Sequence, residues 1–250
     1  MLLQPGTLSS ARSRQVNPIL GLANMNHYSD PSLSDLVFHS GNILQAITPV
    51  EGNLTIQQPD PNLSMAFDPL AFDGLGGYVF PANNRWMMYD LDPLPFQAQR
   101  TIGVVFSLEG NLSNNMIFGY AKFNAFNTSW RVQTNSNAGG YVNFGRDLNG
   151  GFPLIIPNAT PGKYVMIIRQ HSLDQHEFFV NSHENPITIN PRDDYYTSNR
   201  VRLMLGRYGT TRSEMAATIG SIFDCMEAIS DTKLREIMQY LSMRANIDLS

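Results

Sequence analysis

From residue 101 onward, apolar and polar positions alternate with a period of two, interrupted by Gly, Asn and Pro. Ile102, Val104, Phe106 and Leu108 stand against Thr101, Gly103, Val105 and Ser107, a half-buried strand that Glu109-Gly110-Asn111 ends. Residues 116–126 read as one long alternation in which Gly119, Ala121 and Ala125 share a face with Ile117 and Phe123. Residues 130–134 and 141–144 read as shorter strands around the turn-formers of 135–140. Residues 164–168 are apolar on both faces, which predicts a central strand covered on both sides. Residues 177–180 follow, with Asn181-Ser182 as a hairpin turn. Residues 200–206 set Val201, Leu203 and Leu205 against Arg200, Arg202 and Met204, and 218–226 form the last strand.

The period then changes. Leu234, Ile237, Met238, Leu241 and Ala245 fall on one helical face, and Lys233, Arg235, Glu236, Gln239 and Arg244 on the other, so residues 233–245 form an amphipathic helix. Ser230 is its N-cap, Asp231 sits at the positive end of the dipole and Arg244 at the negative end. A lone helix after many strands closes the open side or edge of a sheet.

The chain before residue 101 is less regular. Residues 1–26 lack periodicity and carry Pro5, Gly6, Pro18, Arg12 and Arg14, which reads as an N-terminal arm or attachment segment. Residues 27–84 are broken by Pro and Gly, with short apolar pieces at 36–39, 43–47 and 79–80. Strands without intervening helices predict antiparallel pairing in a two-sheet sandwich. The economical organisation is an arm (1–26) and one all-β domain (27–250).

Composition narrows the function classes. The 250 residues are 42% hydrophobic and 15% charged, which fits a globular chain. A net charge of −4 without a Lys/Arg block gives no counterion-releasing surface, so nucleic acid is not expected as a partner. No apolar run is long enough for a signal peptide or a membrane span, and no membrane partner is expected. Cys225 is the single cysteine; within an apolar run it reads as a buried, inert thiol. Five Asn-x-Ser/Thr triplets, at Asn53, Asn62, Asn111, Asn127 and Asn158, are what chance gives in an Asn-rich chain.

Several segments, in order, carry a family pattern. Phe67-Asp68 and then Ala71-Phe72-Asp73-Gly74-Leu75-Gly76-Gly77-Tyr78 form an FDG-x-x-x-Y turn. Residues 101–108 supply a core strand, and Glu177-Phe178-Phe179-Val180-Asn181 a strand ending in a hairpin, with Ser182 where the pattern has glycine. Leu203-Met204-Leu205-Gly206 and Ile219-Gly220-Ser221-Ile222 are paired late strands, and Ser230-Asp231 through Tyr240-Leu241 a terminal segment. Together, over about residues 60–250, they resemble the laminin-G-like, concanavalin A-like jelly-roll domains of bacterial surface proteins and phage structural proteins. The resemblance implies a two-sheet antiparallel jelly-roll sandwich with a C-terminal amphipathic helix.

Chemistry was weighed on that frame. Glycoside hydrolysis needs two carboxylates across the scissile bond; hydrolases of this fold carry them as E-x-D-x-x-E, and no such triplet occurs. Asp90 and Asp92 are loop acids beside Pro93, and Asp193 and Asp194 are adjacent, so they do not face together. His171, His176 and His183-Glu184 could converge on zinc or nickel, but isolated turn histidines are the expectation. Asp73, Asp90 and Asp92 could offer oxygens to calcium, although the resemblance carries over no calcium set; no cofactor is expected. Gly74-Leu-Gly-Gly lacks the lysine and helix of a phosphate loop, and there is no nucleophile elbow.

Aromatics are the remaining candidates. Trp86, Tyr89, Trp130, Tyr141 and Tyr195 stand at expected loops or strand ends beside Asn, Arg and Asp, a mixture that stacks on sugar C–H faces and bonds hydroxyls. The bland alternative is that these rings plug the core or an oligomer interface. The expected function is a non-enzymatic virion structural or surface-binding protein, of a phage tail, baseplate or capsid surface, with glycans as a candidate ligand. Its expected partners are other virion subunits, its own copies or a cell-surface glycan. The alternatives are a carbohydrate-binding module of a bacterial surface or secretion apparatus, and a divergent polysaccharide hydrolase.

Overall fold

Apolar residues on both faces of residues 164–168 demand cover on both sides, and the computed structural model supplies it as three layers. The structure describes residues 16–80, 85–91, 99–108, 115–122, 125–135, 141–146, 154–156, 160–172, 175–189, 202–206 and 217–249. In chain order the first strands are β1 (Met25–Ser29), β2 (Leu36–Ser40), β3 (Ile43–Ile47), β4 (Glu51–Gly52), β5 (Ile56–Gln57) and β6 (Ala66–Asp68). Then come β7 (Gly77–Val79), β8 (Met87–Tyr89), β9 (Arg100–Leu108), β10 (Asn115–Lys122), β11 (Ala125–Asn135) and β12 (Tyr141–Arg146). The last are β13 (Leu154–Ile156), β14 (Gly162–Ser172), β15 (Gln175–Val180), β16 (Ile187–Ile189), β17 (Arg202–Leu205) and β18 (Ala217–Cys225), followed by helix α1 (Asp231–Ala245).

Pairing, antiparallel throughout the described residues, sorts the strands into two sheets. Sheet A runs β16-β15-β14-β9-β18, and the far edge of β18 is shared by β7 at one end and β1 at the other. Sheet B runs β13-β12-β11-β10-β17-β8-β5-β3-β2. Strand β6 joins the two by pairing with both β3 and β7. The chain is thus an antiparallel β-sandwich with one C-terminal helix.

Alternation along sheet A explains its double burial. Met166 and Ile168 of β14, with Val104 and Phe106 of β9 and Ile222 of β18, enter the core between the sheets. Val165, Ile167, Val105, Phe223 and Cys225 point the other way, onto Leu234, Ile237, Met238 and Leu241 of α1. Gly103 lies opposite Phe223, whose ring occupies the space a Cβ at 103 would need. Ser230 caps α1 by accepting from the Lys233 N–H, and Asn246 closes it in the left-handed conformation. The Lys233-to-Ala245 helix expected from the sequence is therefore present and docked on the outside of sheet A.

Three expectations change. The single alternation over 116–126 is a hairpin, because Lys122 of β10 pairs with Ala125 of β11. The hairpin after β15 is wider than Asn181-Ser182: Asn181 takes a positive φ, and pairing resumes only where Ile187 faces Phe178. The expected arm, residues 1–26, extends into the folded body. Ile19 is fully buried in the helix-side core with Leu22, Asn17 donates to the Tyr28 hydroxyl at 2.9 Å, and Asn26 already lies in β1. A short turn at 18–21 lets that segment bury two aliphatic side chains without any periodicity to announce it. Residues 1–15 lie outside the described residues.

Candidate functional site

Among the described residues, the core packs on one side of sheet A and α1 on the other. The inner side of sheet B packs on the core. Leu203 and Leu205 of β17 enter the core between the sheets, whereas Met204 between them packs with Trp86, Leu63 and Met88 in a separate small cluster. Strand alternation makes that the outer face. From Met204, register carries one row across eight strands: Gly145, Arg131, Gly119, Met204, Met88, Gln57, Ala46 and Val37. Two further pairs of the same parity, Asn143–Gln133 and Tyr141–Asn135, extend the set over β11 and β12. By sequence these backbone positions are four Asn or Gln, one Arg, one Tyr, two Met, two Gly, one Ala and one Val.

A short connection frames one part of this face. The Trp86 N–H donates to the Leu63 carbonyl at 2.8 Å, and the Arg85 guanidinium donates to the carbonyls of Pro61 (2.6 Å) and Ser64 (3.3 Å). The Gln58 amide donates to the Trp86 carbonyl at 3.4 Å. Loop 58–65 and residues 85–86 are thereby tied together over Met204, beside exposed Gln57.

Of the five aromatic candidates, the side chains of Trp86 and Tyr89 lie among the described residues. Trp86 is only 5% exposed, its ring packed on Met204. Tyr89 is fully buried in the core between the sheets and donates to Asp224 Oδ2 at 2.8 Å. It stands at a strand end, as expected, but the alternation of Met87-Met88-Tyr89 turns it inward. Trp130 shares its row with Tyr120 and core Leu203, the inward parity. Tyr141 alone has the outward parity, and Tyr195 lies outside the described residues. Arg131, Gln133 and Asn143 were not among the candidates, and register gives them the outward parity. Their signal was legible: they alternate with Trp130, Val132 and Thr134 along one strand and across to the next.

The charged residues are mostly committed to structure. Asp224 is fully buried and accepts from Asn26 Nδ2 (2.9 Å) as well as Tyr89, with Arg100 Nε 3.3 Å from its Oδ1. Asp30, also buried, takes Arg244 Nη2 of α1 at 3.0 Å on each oxygen and the Ser221 hydroxyl at 3.2 Å. Glu177 accepts from Arg169 (2.7 Å) and His171 (2.8 Å); burial pushes its carboxyl upward, but those two partners outweigh it and hold it below the usual range. Burial, with Asp224 and Glu227 nearby, pushes the Cys225 thiol far up.

Metal chemistry finds little support. Among the described residues no three His, Cys, Asp or Glu side chains gather in a metal-ligating group. His176 is buried on β15, and His183 lies 3.8 Å from Glu184. Asp73 is 2.9 Å from Lys163 Nζ, whereas Asp90 accepts from the Thr55 N–H at 3.2 Å beside β5. A calcium ion does not fit these two, one of them neutralised by an ammonium and each serving a different part of the fold. Asp92, Asp193 and Asp194 lie outside the described residues.

No protein-family model matches the chain, and no curated protein matches it in sequence. Solved structures share its fold. Trypanosoma rangeli sialidase superposes with a TM-score of 0.58 at 10% identity, over 90% of this chain and 34% of the sialidase. Domain 4 of AbnA, a GH43 extracellular arabinanase from Geobacillus stearothermophilus solved with arabinotriose, gives 0.56 at 13%, over 86% of this chain and 98% of that domain. The botulinum neurotoxin serotype D binding domain gives 0.55 at 10%, over 86% and 52%. The chain thus spans about a third of the sialidase, and identities this low establish likeness of fold alone.

Proposed function

We propose that this protein is a non-catalytic carbohydrate-binding module, a concanavalin A-like jelly roll that holds a glycan on the outer face of sheet B. The observation that carries the reading is the division of faces. Helix α1 packs on the outside of sheet A, whereas on sheet B the register puts Arg131, Gln133, Asn143 and Gln57, residue types that pair with hydroxyls, at positions of the outer parity, and the described positions of that parity in the row include no Asp or Glu. The arabinanase domain, solved with a sugar and matched over nearly its whole length, supports the same class of ligand.

A glycan array followed by calorimetry tests this. A neutral oligosaccharide should bind, and Arg131→Ala, Gln133→Ala and Gln57→Ala should each weaken binding about tenfold or more, one hydrogen bond to sugar being worth roughly 1 kcal/mol or somewhat above. Binding unchanged by all three substitutions, or none to any glycan, would overturn the proposal. Display on a virion or a bacterial surface, with other subunits or copies of the chain as neighbours, belongs to the same proposal. Recovery with purified particles supports the first setting and recovery with the cell envelope the second.

A further inference from the structure

We propose that the buried imidazole of His27 is an acid-sensitive latch between the two sheets, closed while neutral and opened by protonation. The latch is a feature of the sandwich and does not depend on the outer face binding anything.

His27 lies on β1 of sheet A, fully buried. Its ring reaches sheet B: Nδ1 is 2.7 Å from the carbonyl oxygen of Leu54, just before β5, and the ring centroid is 5.9 Å from that of Tyr89 on β8, at 49°. A carbonyl only accepts, so Nδ1 carries the hydrogen and Nε2 the lone pair. Nε2 is buried with no hydrogen-bond partner among the described residues. The neutral ring fits this arrangement, and a protonated ring adds a buried N–H that needs an acceptor.

The charged and titratable groups around the ring are Asp224 on β18, Arg100 on β9, and Tyr89 and Asp90 at and after β8. Asp224 already accepts from Tyr89 and Asn26 and is ion-paired with Arg100, and Asp90 accepts from the Thr55 N–H. Serving a second N–H of His27 therefore means releasing one of those donors or admitting water. Burial lowers the His27 pKa to about 4 despite the Leu54 carbonyl and the pull of both carboxylates. The strands that meet here are short. β5 has two residues and β8 three, and β1 carries a register irregularity between Met25 and His27. Local opening at this seam should precede global unfolding.

Hydrogen exchange of the full chain at pH 7.5 and 5.0, corrected for intrinsic rates, tests the latch. Amides at 54–57 and 87–89 should lose protection at least tenfold at the lower pH while those of 102–106 and 165–168 keep theirs. In His27→Phe, which retains a ring against Tyr89 but cannot take a proton, the difference should vanish. Uniform loss across both regions, or an unchanged difference in His27→Phe, overturns the proposal. If that variant does not fold, the wild-type imidazole titration followed by NMR decides. A midpoint well below 6, with linked shifts at Leu54 and Tyr89, supports the latch, and a midpoint near 6.5 without them overturns it.

Discussion

Arg169 on β14 reaches across the sheet to the start of the helix, where its Nη1 donates to Asp231 Oδ1 at 2.6 Å and to the Ile229 carbonyl at 3.0 Å. Its Nε donates to Glu177 on β15 at 2.7 Å, and its guanidinium lies 5.3 Å from the Phe179 ring centroid. One side chain therefore ties two strands and the segment entering α1.

Acid should loosen that tie. Hydrogen bonding to Arg169 holds the Asp231 carboxyl below its usual range, and Glu177 is also lowered, by His171 and Arg169 against its burial. Groups with depressed folded pKa values contribute stability above their unfolded pKa and lose it as pH falls through the folded one. Exchange protection at residues 231–236 should hold at pH 6 and decline below about pH 4. Arg169→Met, which keeps packing on Phe179, should weaken this dependence and cost roughly 1–3 kcal/mol by urea unfolding, from the lost donors to the Ile229 carbonyl and to Glu177, which keeps only His171.

Helix docking rests on apolar burial. Leu241 is fully buried against sheet A with Val105, Ile167 and Phe223 in the same cluster. Leu241→Ala should cost about 2–5 kcal/mol, the range for a large-to-small change at a site that cannot fully collapse. A loss under about 0.5 kcal/mol would mean the helix is not a fixed layer of the fold.

The residues that announced themselves in the sequence were those serving one periodicity. Residues 164–168 showed apolar side chains on both faces, and the helix showed Ser230, Leu234 and Leu241 in the right places, so the covered sheet and its cover were both legible. Strands β5, β8 and β13 were not, because two or three residues carry no period. Ile19 was missed for the same reason: one buried aliphatic in a turn has no pattern. The surroundings of the candidate rings were less legible. Tyr89 and Trp86 were chosen for their chemistry, but a ring's fate depends on which face its strand presents, and that was decided by pairing with β5 and β17 far along the chain.

Cys225 should behave as a packing residue. It is fully buried, and its thiol is pushed up by burial, Asp224 and Glu227. The native protein at pH 8 should therefore resist iodoacetamide, and one equivalent should react on unfolding in urea. Rapid native alkylation would show that the C-terminal end of β18 opens.

Asp224 should be the least replaceable carboxylate of the chain. It alternates with Ile222 on β18, so it enters the core between the sheets, where Tyr89, Asn26 and Arg100 all converge on it. Removing it in Asp224→Ala leaves the Arg100 charge and two polar donors buried together, an arrangement that costs about 3–5 kcal/mol when one partner of a buried pair is deleted. Asp224→Asn keeps the shape and one acceptor oxygen, so it should cost less, but its amide places N–H groups where Tyr89 or Arg100 donates. Urea unfolding of the two variants should rank them wild type, then Asn, then Ala. An Ala variant as stable as the wild type would mean that the network is no part of the core's support, and that β1, β8 and β18 are held there by their apolar neighbours alone.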